Sequence, residues 1–270
     1  MFKAIPYEAF SDSVHFWVHY GLVILGFVLG FITLIVQWKS PAPYGKHASQ
    51  GADWGPMIPQ QIGHILSDAV PGVLLFLLIF FLVGNQREAV NWVFLVLFQL
   101  HYIHRGLIHP MIMKYSSSKV ALGITLGGFF PNCLFHGINA DFIGSANYAD
   151  NYYYDPRFII GLLLYVIGYV INRQADWYLR SLRSQRLREG TSQYYIPRGG
   201  FFNHVACPNY FGELLQWTGW ALATWSLAAL VWLLFSAATF IPRSKHNLQW
   251  YKDTFEDYPT NRKALIPFLF

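Results

Sequence analysis

The sequence predicts an all-α membrane protein with seven transmembrane helices, an outer N-terminus and a cytosolic C-terminus. Three observations lead to this fold class. Of the 270 residues, 54% are hydrophobic and only 12% are charged, whereas soluble domains carry about 25% charged residues. Several apolar segments approach the roughly 20 residues that a helix needs to cross the hydrocarbon core. Lys and Arg are also distributed very unevenly between the two sides that these segments define.

The apolar segments give the approximate positions of the helices. They lie at about 15–37, 69–84, 91–113, 119–140, 157–172 and 209–241. As a single helix the last segment would be roughly 50 Å long, against a hydrocarbon core of about 30 Å. Two shorter helices joined by a tight turn near Trp225 and Ser226 fit the membrane better. This division raises the number of predicted spans from six to seven.

The distribution of basic residues favours seven spans over six. With seven, 16 of the 19 Lys and Arg residues lie on the inner side, and only Lys3, Arg87 and Arg157 lie outside. With six, the C-terminal tail and its five basic residues would lie outside, against the positive-inside rule. No repeat of 20–50 residues is visible. We therefore predict one domain over 1–270, with cytosolic segments 38–62, 106–119 and 173–208 and a cytosolic tail at 242–270.

Polar residues occur in helical register inside or beside the predicted spans. Asn172 and Asp176 are four residues apart, as are Asn209 and Glu213, and Arg105 lies one turn after His101. Such groups are costly in a membrane and usually face an interior cavity. Amides, carboxylates and guanidinium groups suit a ligand with ribose hydroxyls, a carboxamide and phosphates. The same groups could instead pair with one another and join the helices.

Other chemistries lack their sequence signatures. "GITLGG", at 123–128, lies in an apolar segment with no preceding strand, so we expect any nucleotide to be held between helices. "HYIHRGLIH", at 101–109, clusters three histidines, but di-iron membrane enzymes need several such boxes, so we expect no metal. A transporter is the main non-enzyme alternative. Transporters usually contain repeats and broken helices near the membrane midplane, whereas the polar groups here cluster toward one side.

Several blocks of sequence together carry a resemblance to a known family. They are "YGKH" from Tyr44, "HYIHR" from His101, "NRQADWYLRSLR" from Asn172, "YYIPRGGFF" from Tyr194, "NYFGELLQWTGWALATWS" from Asn209 and "FEDYPTNRKALIPFLF" from Phe255. In this order, and over most of the chain from Tyr44 onward, the sequence resembles the steroid 5α-reductases. These membrane enzymes reduce the Δ4 double bond of 3-oxosteroids with NADPH. The isoprenylcysteine methyltransferases, a competing class with a related fold, lack this C-terminal block.

The resemblance implies a cofactor, a catalytic residue and a role for the tail. Tyr102 would hydrogen-bond the 3-oxo group while hydride adds at C5 and a proton at C4. The C-terminal segment would pack back on the cytosolic side and help to close the cofactor chamber. NADPH binding is implied for Asn172, Asp176, Arg183, Tyr194, Asn209, Glu213 and Tyr251, with contributions from Arg105, Tyr44, Lys46 and the His246 region.

One position departs from the family pattern. The family pairs its catalytic Tyr with a Glu in the second span, shortly before an Ala-Val-Pro-like stretch. Here the segment reads "PQQIGHILSDAVPG". Counting back from Pro71 without a gap places His64 at the Glu position. Allowing a shift of one helical turn places Gln61 there instead.

The expected partners are a steroid or another enone lipid and the bilayer, in the endoplasmic reticulum or a bacterial inner membrane. We expect no nucleic acid and no obligatory protein partner.

Overall fold

The described part of the chain is mostly helical, as predicted. The structure, a computed structural model, describes residues 10, 12–43, 47, 53–85, 88–115, 117–191 and 193–270. Within these residues, seven long helices follow one another along the chain. They are α1 (Ser13–Lys39), α2 (Gln60–Leu82), α3 (Ala89–Ile103, continued by His104–Ile108 and His109–Ile112), α4 (Leu122–Ser145), α5 (Pro156–Arg188), α6 (Pro208–Thr224) and α7 (Leu227–Thr254).

Four of the helices, α1, α2, α5 and α7, are long and apolar enough to cross a membrane. In the most apolar 18-residue stretch of α1, only 17% of the residues are buried inside the protein. Large side chains such as Trp17 and Phe31 are therefore exposed on its surface. Water would not tolerate such a continuous apolar surface, whereas the hydrocarbon core of a bilayer does. The chain is an integral membrane protein.

The long apolar segment at 209–241 is divided at the predicted turn. Helix α6 ends at Thr224, and Trp225 adopts a left-handed conformation with φ 51° and ψ 43°. The Ser226 hydroxyl then accepts a hydrogen bond from the Ala229 amide at 3.0 Å and caps the start of α7. This break confirms that the segment forms two helices rather than one.

Glycines allow α5 and α6 to approach until their backbones touch. A Cβ placed on Gly212 would lie 2.5 Å from the backbone nitrogen of Asn172, closer than real Cβ atoms approach other atoms. Small residues permit such contacts between membrane helices. The contact brings the polar residues of α5 directly against those of α6. The same close approach occurs at Gly161, Gly168 and Gly219.

Helices α2 and α3 each contain a π-helical segment, at Ile65–Leu75 and His104–Ile108. The two segments are in contact, because Gly106 of α3 has no side chain and packs onto Ala69 of α2. In the same way Gly72 of α2 provides the space that the Tyr102 ring occupies. Short π-helical insertions are frequent at functional sites.

The C-terminal tail folds back onto the segment before α6. The Ala206 amide donates to the Lys263 carbonyl at 2.8 Å, and the Lys263 amide donates to the His204 carbonyl at 2.9 Å. Tyr258 and Leu265 are buried. The tail is therefore an ordered part of the fold, packed beside the start of α6.

Several boundaries differ from the sequence prediction. Helix α7 continues to Thr254, so that residues 242–254 of the predicted tail are helical. Helix α2 begins at Gln60 rather than near 69, and α5 continues to Arg188, so that the first half of the predicted segment 173–208 is helical. Segment 38–62 also contributes strand β1 (Met57–Pro59), which pairs antiparallel with β2 (Lys119–Ala121) at the start of the predicted span 119–140, so that α4 begins only at Leu122. In α2 and α5 the additional turns are rich in polar residues, so hydropathy alone does not detect them.

Candidate active site

A cavity of about 260 Å³ lies among α2, α3, α5, α6 and α7, at the end of the bundle where the basic residues cluster. Its walls come from the start of α2, the end of α3, the second half of α5 and the second half of α7. The segment 194–197 and the start of α6 complete it. Seven residues predicted from the sequence line this cavity: His64, Arg105, Asp176, Arg183, Tyr194, Asn209 and Tyr251.

Behind this wall, α5 and α6 share a buried polar network. The Asn172 side-chain amide donates to the Asn209 carbonyl at 2.8 Å and to Glu213 Oε2 at 3.3 Å. Arg105 Nη1 lies 3.9 Å from the same Glu213 oxygen. Asn172 and Glu213 are almost fully buried and do not line the cavity. In this structure they hold Arg105 and Asn209, which do line it.

Asp176 presents a carboxylate to the cavity. Asn209 Nδ2 donates to Asp176 Oδ1 at 3.3 Å, and His109 Nδ1 lies 3.7 Å from Oδ2. Among the described residues, Oδ2 has no hydrogen-bond partner. Buried polar atoms are nearly always satisfied by protein, water or ligand, so this oxygen is an acceptor suited to a ligand hydroxyl.

Four arginines give the cavity a positive lining. Besides Arg105, these are Arg183, Arg186 and Arg243. The Arg186 guanidinium lies over the Tyr194 ring at 4.5 Å. Guanidinium groups bind phosphate oxygens in a bidentate manner. The lining therefore combines an anion-binding region with amide and carboxylate groups.

Tyr102 lies outside the cavity lining, in the buried interior of the bundle. Its ring is 3% exposed and packs 4.7 Å from Phe98 and 4.2 Å from His136, measured between ring centroids. It contacts α2 at Gly72, two helical turns beyond His64. His136 of α4 is fully buried. The surroundings of Tyr102 thus combine apolar rings with a buried imidazole.

The remaining predicted site residues lie elsewhere. Gln61 is exposed, and its neighbour Gln60 lines the cavity instead. The His246 ring contacts α1, where Nε2 lies 3.3 Å from the Gln37 carbonyl oxygen. Tyr44 and Lys46 lie outside the described residues.

Other polar residues at the site were missed by the sequence prediction. Asp68 of α2 hydrogen-bonds His64. Arg173 of α5 hydrogen-bonds His104. Tyr115, after α3, stacks on His64 at 5.4 Å, and burial raises the pKa of its hydroxyl to about 12, so it remains a neutral donor. A signal for Asp68 was present, because it is an ionisable residue in an apolar helix, four residues after His64.

Sequence comparison places the chain among known proteins. The sequence model of the family described as 3-oxo-5-alpha-steroid 4-dehydrogenase matches residues 119–270. The chain is 35% identical to 3-oxo-5-alpha-steroid 4-dehydrogenase 1 of Rattus norvegicus, over 92% of this chain and 94% of the relative. It is 36% identical to steroid 5-alpha-reductase DET2 of Arabidopsis thaliana, over 97% of this chain and 100% of the relative. The chain therefore belongs to the 3-oxo-5-alpha-steroid 4-dehydrogenase family.

Proposed function

We propose that this protein reduces the Δ4 double bond of a 3-oxosteroid with NADPH, giving a 5α-reduced steroid. Besides the family membership, one observation supports the proposal most strongly. Tyr102 of α3 is buried and packs on Gly72 of α2. Two helical turns before Gly72, His64 lines a cavity whose polar groups suit a nucleotide. A donor to a carbonyl and a cofactor site are the two elements that this reduction needs.

The cavity residues fit NADPH as the cofactor. Asp176 and Asn209 supply acceptors and donors for ribose hydroxyls and the carboxamide, and Asp176 Oδ2 has acceptor capacity available. Arg183, Arg186 and Arg105 supply positive charge for the phosphates. When bound, NADPH supplies the hydride. Tyr194 and Tyr251 line the same cavity, and Asn172 and Glu213 hold its wall from behind.

Tyr102 is the proposed catalytic donor. Its hydroxyl hydrogen-bonds the 3-oxo group and stabilises the negative charge that develops on that oxygen. The ring is buried among apolar side chains, and a donor in a low-dielectric site stabilises charge more strongly than one in water. Because the charge grows as the reaction proceeds, the bond is stronger in the transition state than in the ground state, which accelerates the reaction.

A second candidate substrate class is another enone lipid. The observation that favours it is His64, which lines the cavity and which an ungapped count from Pro71 places where the resemblance implies a Glu. An imidazole changes the size and charge of the substrate contact, and therefore the substrates that fit. The chemistry and the role of Tyr102 stay the same for either class.

The experiment that tests the proposed activity is NADPH oxidation by detergent-purified protein, measured with and without a 3-oxo-Δ4 steroid. We expect oxidation that depends on the steroid. A protein that transports a small molecule would bind its substrate but consume no NADPH. Substrate-independent oxidation, or none with any enone lipid, would contradict the proposal.

We also propose that α3, α4 and α6 cross the membrane, which makes seven spans with the C-terminus inside. Helix α4 has 24 residues and α6 has 17, so α6 is roughly 26 Å long, close to the hydrocarbon core of about 30 Å. The inner side then receives 16 of the 19 basic residues. A tag after Phe270 and a tag in the segment 189–197 should be protected or accessible together in sealed vesicles. Opposite accessibility would exclude seven spans.

A further inference from the structure

Helix α2 carries a histidine–carboxylate pair at the cavity. His64 Nδ1 lies 3.2 Å from Asp68 Oδ2, and Ser67 Oγ donates to the same oxygen at 3.3 Å. The His64 side chain is 28% exposed and that of Asp68 is 15% exposed. Because Nδ1 faces Asp68, Nε2 is the ring nitrogen left for a molecule in the cavity.

The pair lies between the cavity and Tyr102. His64, Asp68 and Gly72 follow one another at intervals of four residues, so they share one face of α2. His64 lines the cavity at one end of this face, and Tyr102 packs on Gly72 at the other. The carboxylate of Asp68 also interacts electrostatically with both Tyr102 and His136. It is therefore placed to act on the groups nearest the proposed substrate carbonyl.

We propose that Asp68 is a positioning residue for His64 in the reduction, an inference that rests on the proposed function. Its carboxylate accepts the Nδ1–H hydrogen bond, which fixes the ring orientation and leaves Nε2 toward the cavity. When the imidazole is protonated, the same carboxylate stabilises the cation, and Nε2–H donates a hydrogen bond to the ligand. Asp68 thus supplies a carboxylate one turn after His64 and acts through the His64 ring.

Charged and polar neighbours surround the pair. The His109 ring of α3 lies 6.5 Å from the His64 ring, measured between centroids. Asn132 of α4 fixes the backbone of this turn, because its amide donates to the Ser67 carbonyl at 2.7 Å. The titratable and charged groups near the pair are Tyr102, Arg105 and His109 of α3, Tyr115 after it, His136 of α4, Asp176 of α5 and Glu213 of α6.

The first arm of the test measures the His64 ring directly and needs no activity. Nitrogen-15 spectra of histidine-labelled protein in detergent are recorded at a pH at which His64 is neutral. Its signals are assigned by their loss in His64→Gln. We expect one tautomer, with the proton on Nδ1. In Asp68→Asn the amide can accept from or donate to Nδ1, so we expect that single tautomer to be lost, and Asp68→Glu should restore it.

The second arm measures steroid turnover. We expect Asp68→Asn to lower kcat about 10-fold to 100-fold, by analogy with the loss of a carboxylate that orients a metal-ligating histidine. Asp68→Glu should recover part of the loss. Added to His64→Gln, the same Asp68→Asn change should cost less than about twofold, because the group it positions is already gone. Asp150→Asn, which neutralises an exposed aspartate in the segment between α4 and α5, remote from the cavity, is the matched control and should retain the wild-type turnover.

Two results would overturn the proposal. One is an unchanged His64 tautomer or unchanged turnover in folded Asp68→Asn. The other is an equal loss of turnover from Asp68→Asn with and without His64, which would mean that Asp68 acts by another route. Thermal unfolding of each variant checks that it is folded, and Asp68→Glu keeps the test open if Asp68→Asn unfolds. If the wild type shows the single tautomer but no steroid-dependent NADPH oxidation, the proposed function fails while the His64–Asp68 pairing stands.

Discussion

Tyr102→Phe is expected to lower steroid turnover about 100-fold to 1000-fold, because one donor to a developing oxyanion contributes about 2.7–4 kcal/mol. The substitution keeps the ring and its contacts with Phe98 and His136, and removes only the hydroxyl. Packing should therefore survive. The affinity for NADPH should change little, because the proposed cofactor residues line the cavity and Tyr102 does not. Single-turnover kinetics with saturating NADPH would measure the effect on the chemical step.

Tyr148→Phe is the matched control for this result. Tyr148 is also buried, and its hydroxyl donates to the Thr224 carbonyl at 3.0 Å, away from the cavity. Its loss should lower stability by about 1 kcal/mol and leave turnover near the wild-type value. If folded Tyr102→Phe protein reduced the steroid at the wild-type rate, Tyr102 would have only a packing role. His64 would then be the leading candidate, because Gln61 is exposed in the structure.

Asn209→Ala is expected to weaken NADPH binding about 5-fold to 150-fold, since leaving a buried polar partner unpaired costs about 1–3 kcal/mol. Asn209 lines the cavity, and its side-chain amide donates to Asp176 Oδ1 at 3.3 Å. Without that amide, the Asp176 carboxylate loses a hydrogen-bond donor, and NADPH loses a polar group of the cavity wall that it is proposed to contact. Titration of NADPH fluorescence in detergent would measure the dissociation constant.

Two comparisons separate cofactor binding from helix pairing. Asn151→Ala changes an exposed asparagine in the segment between α4 and α5, remote from the cavity, and should leave NADPH affinity unchanged. Glu213→Ala should also weaken NADPH binding, because Glu213 holds Arg105 and Asn172 from behind. If folded Asn209→Ala and Glu213→Ala proteins both bound NADPH normally, these groups would serve only to join α5 to α6.

Much of the helical framework could be predicted because it depends on local composition. The break at Trp225 and Ser226 follows from the length of the apolar segment and is present in the structure. The GxxxG spacing of Gly26 and Gly30 predicts a close helix contact, and Gly26 of α1 does pack against Phe135 of α4 and Val231 of α7. The start of α2 was missed because Gln60, Gln61 and His64 lower its hydropathy. Gln60 and His64 belong to the membrane-spanning helix and also line the cavity. Their polarity serves the site, and a hydropathy count therefore reads this part of the helix as a loop.

The candidate site was predictable only where polar residues share a helix face. The spacing of Asn172 with Asp176 and of Asn209 with Glu213 indicates two faces, and the close α5–α6 contact brings them together. His246 could not be placed in this way, since its position depends on how α7 is rotated against α1. Asp68 was missed because its role depends on its contact with His64 within a π-helical segment. Counting residues back from Pro71 identifies His64 but does not show which side chain contacts it.

We propose above all that this chain directs hydride from NADPH to C5 of a 3-oxo-Δ4 steroid bound beside Tyr102. The most direct measurement uses NADPH in which both hydrogens at C4 of the nicotinamide are deuterium, with mass spectrometry and NMR of the steroid product. We expect a 5α-reduced product with one deuterium at C5, while the new hydrogen at C4 of the steroid comes from solvent. A reduced product without deuterium at C5, or a steroid recovered unchanged while NADPH is intact, would contradict it.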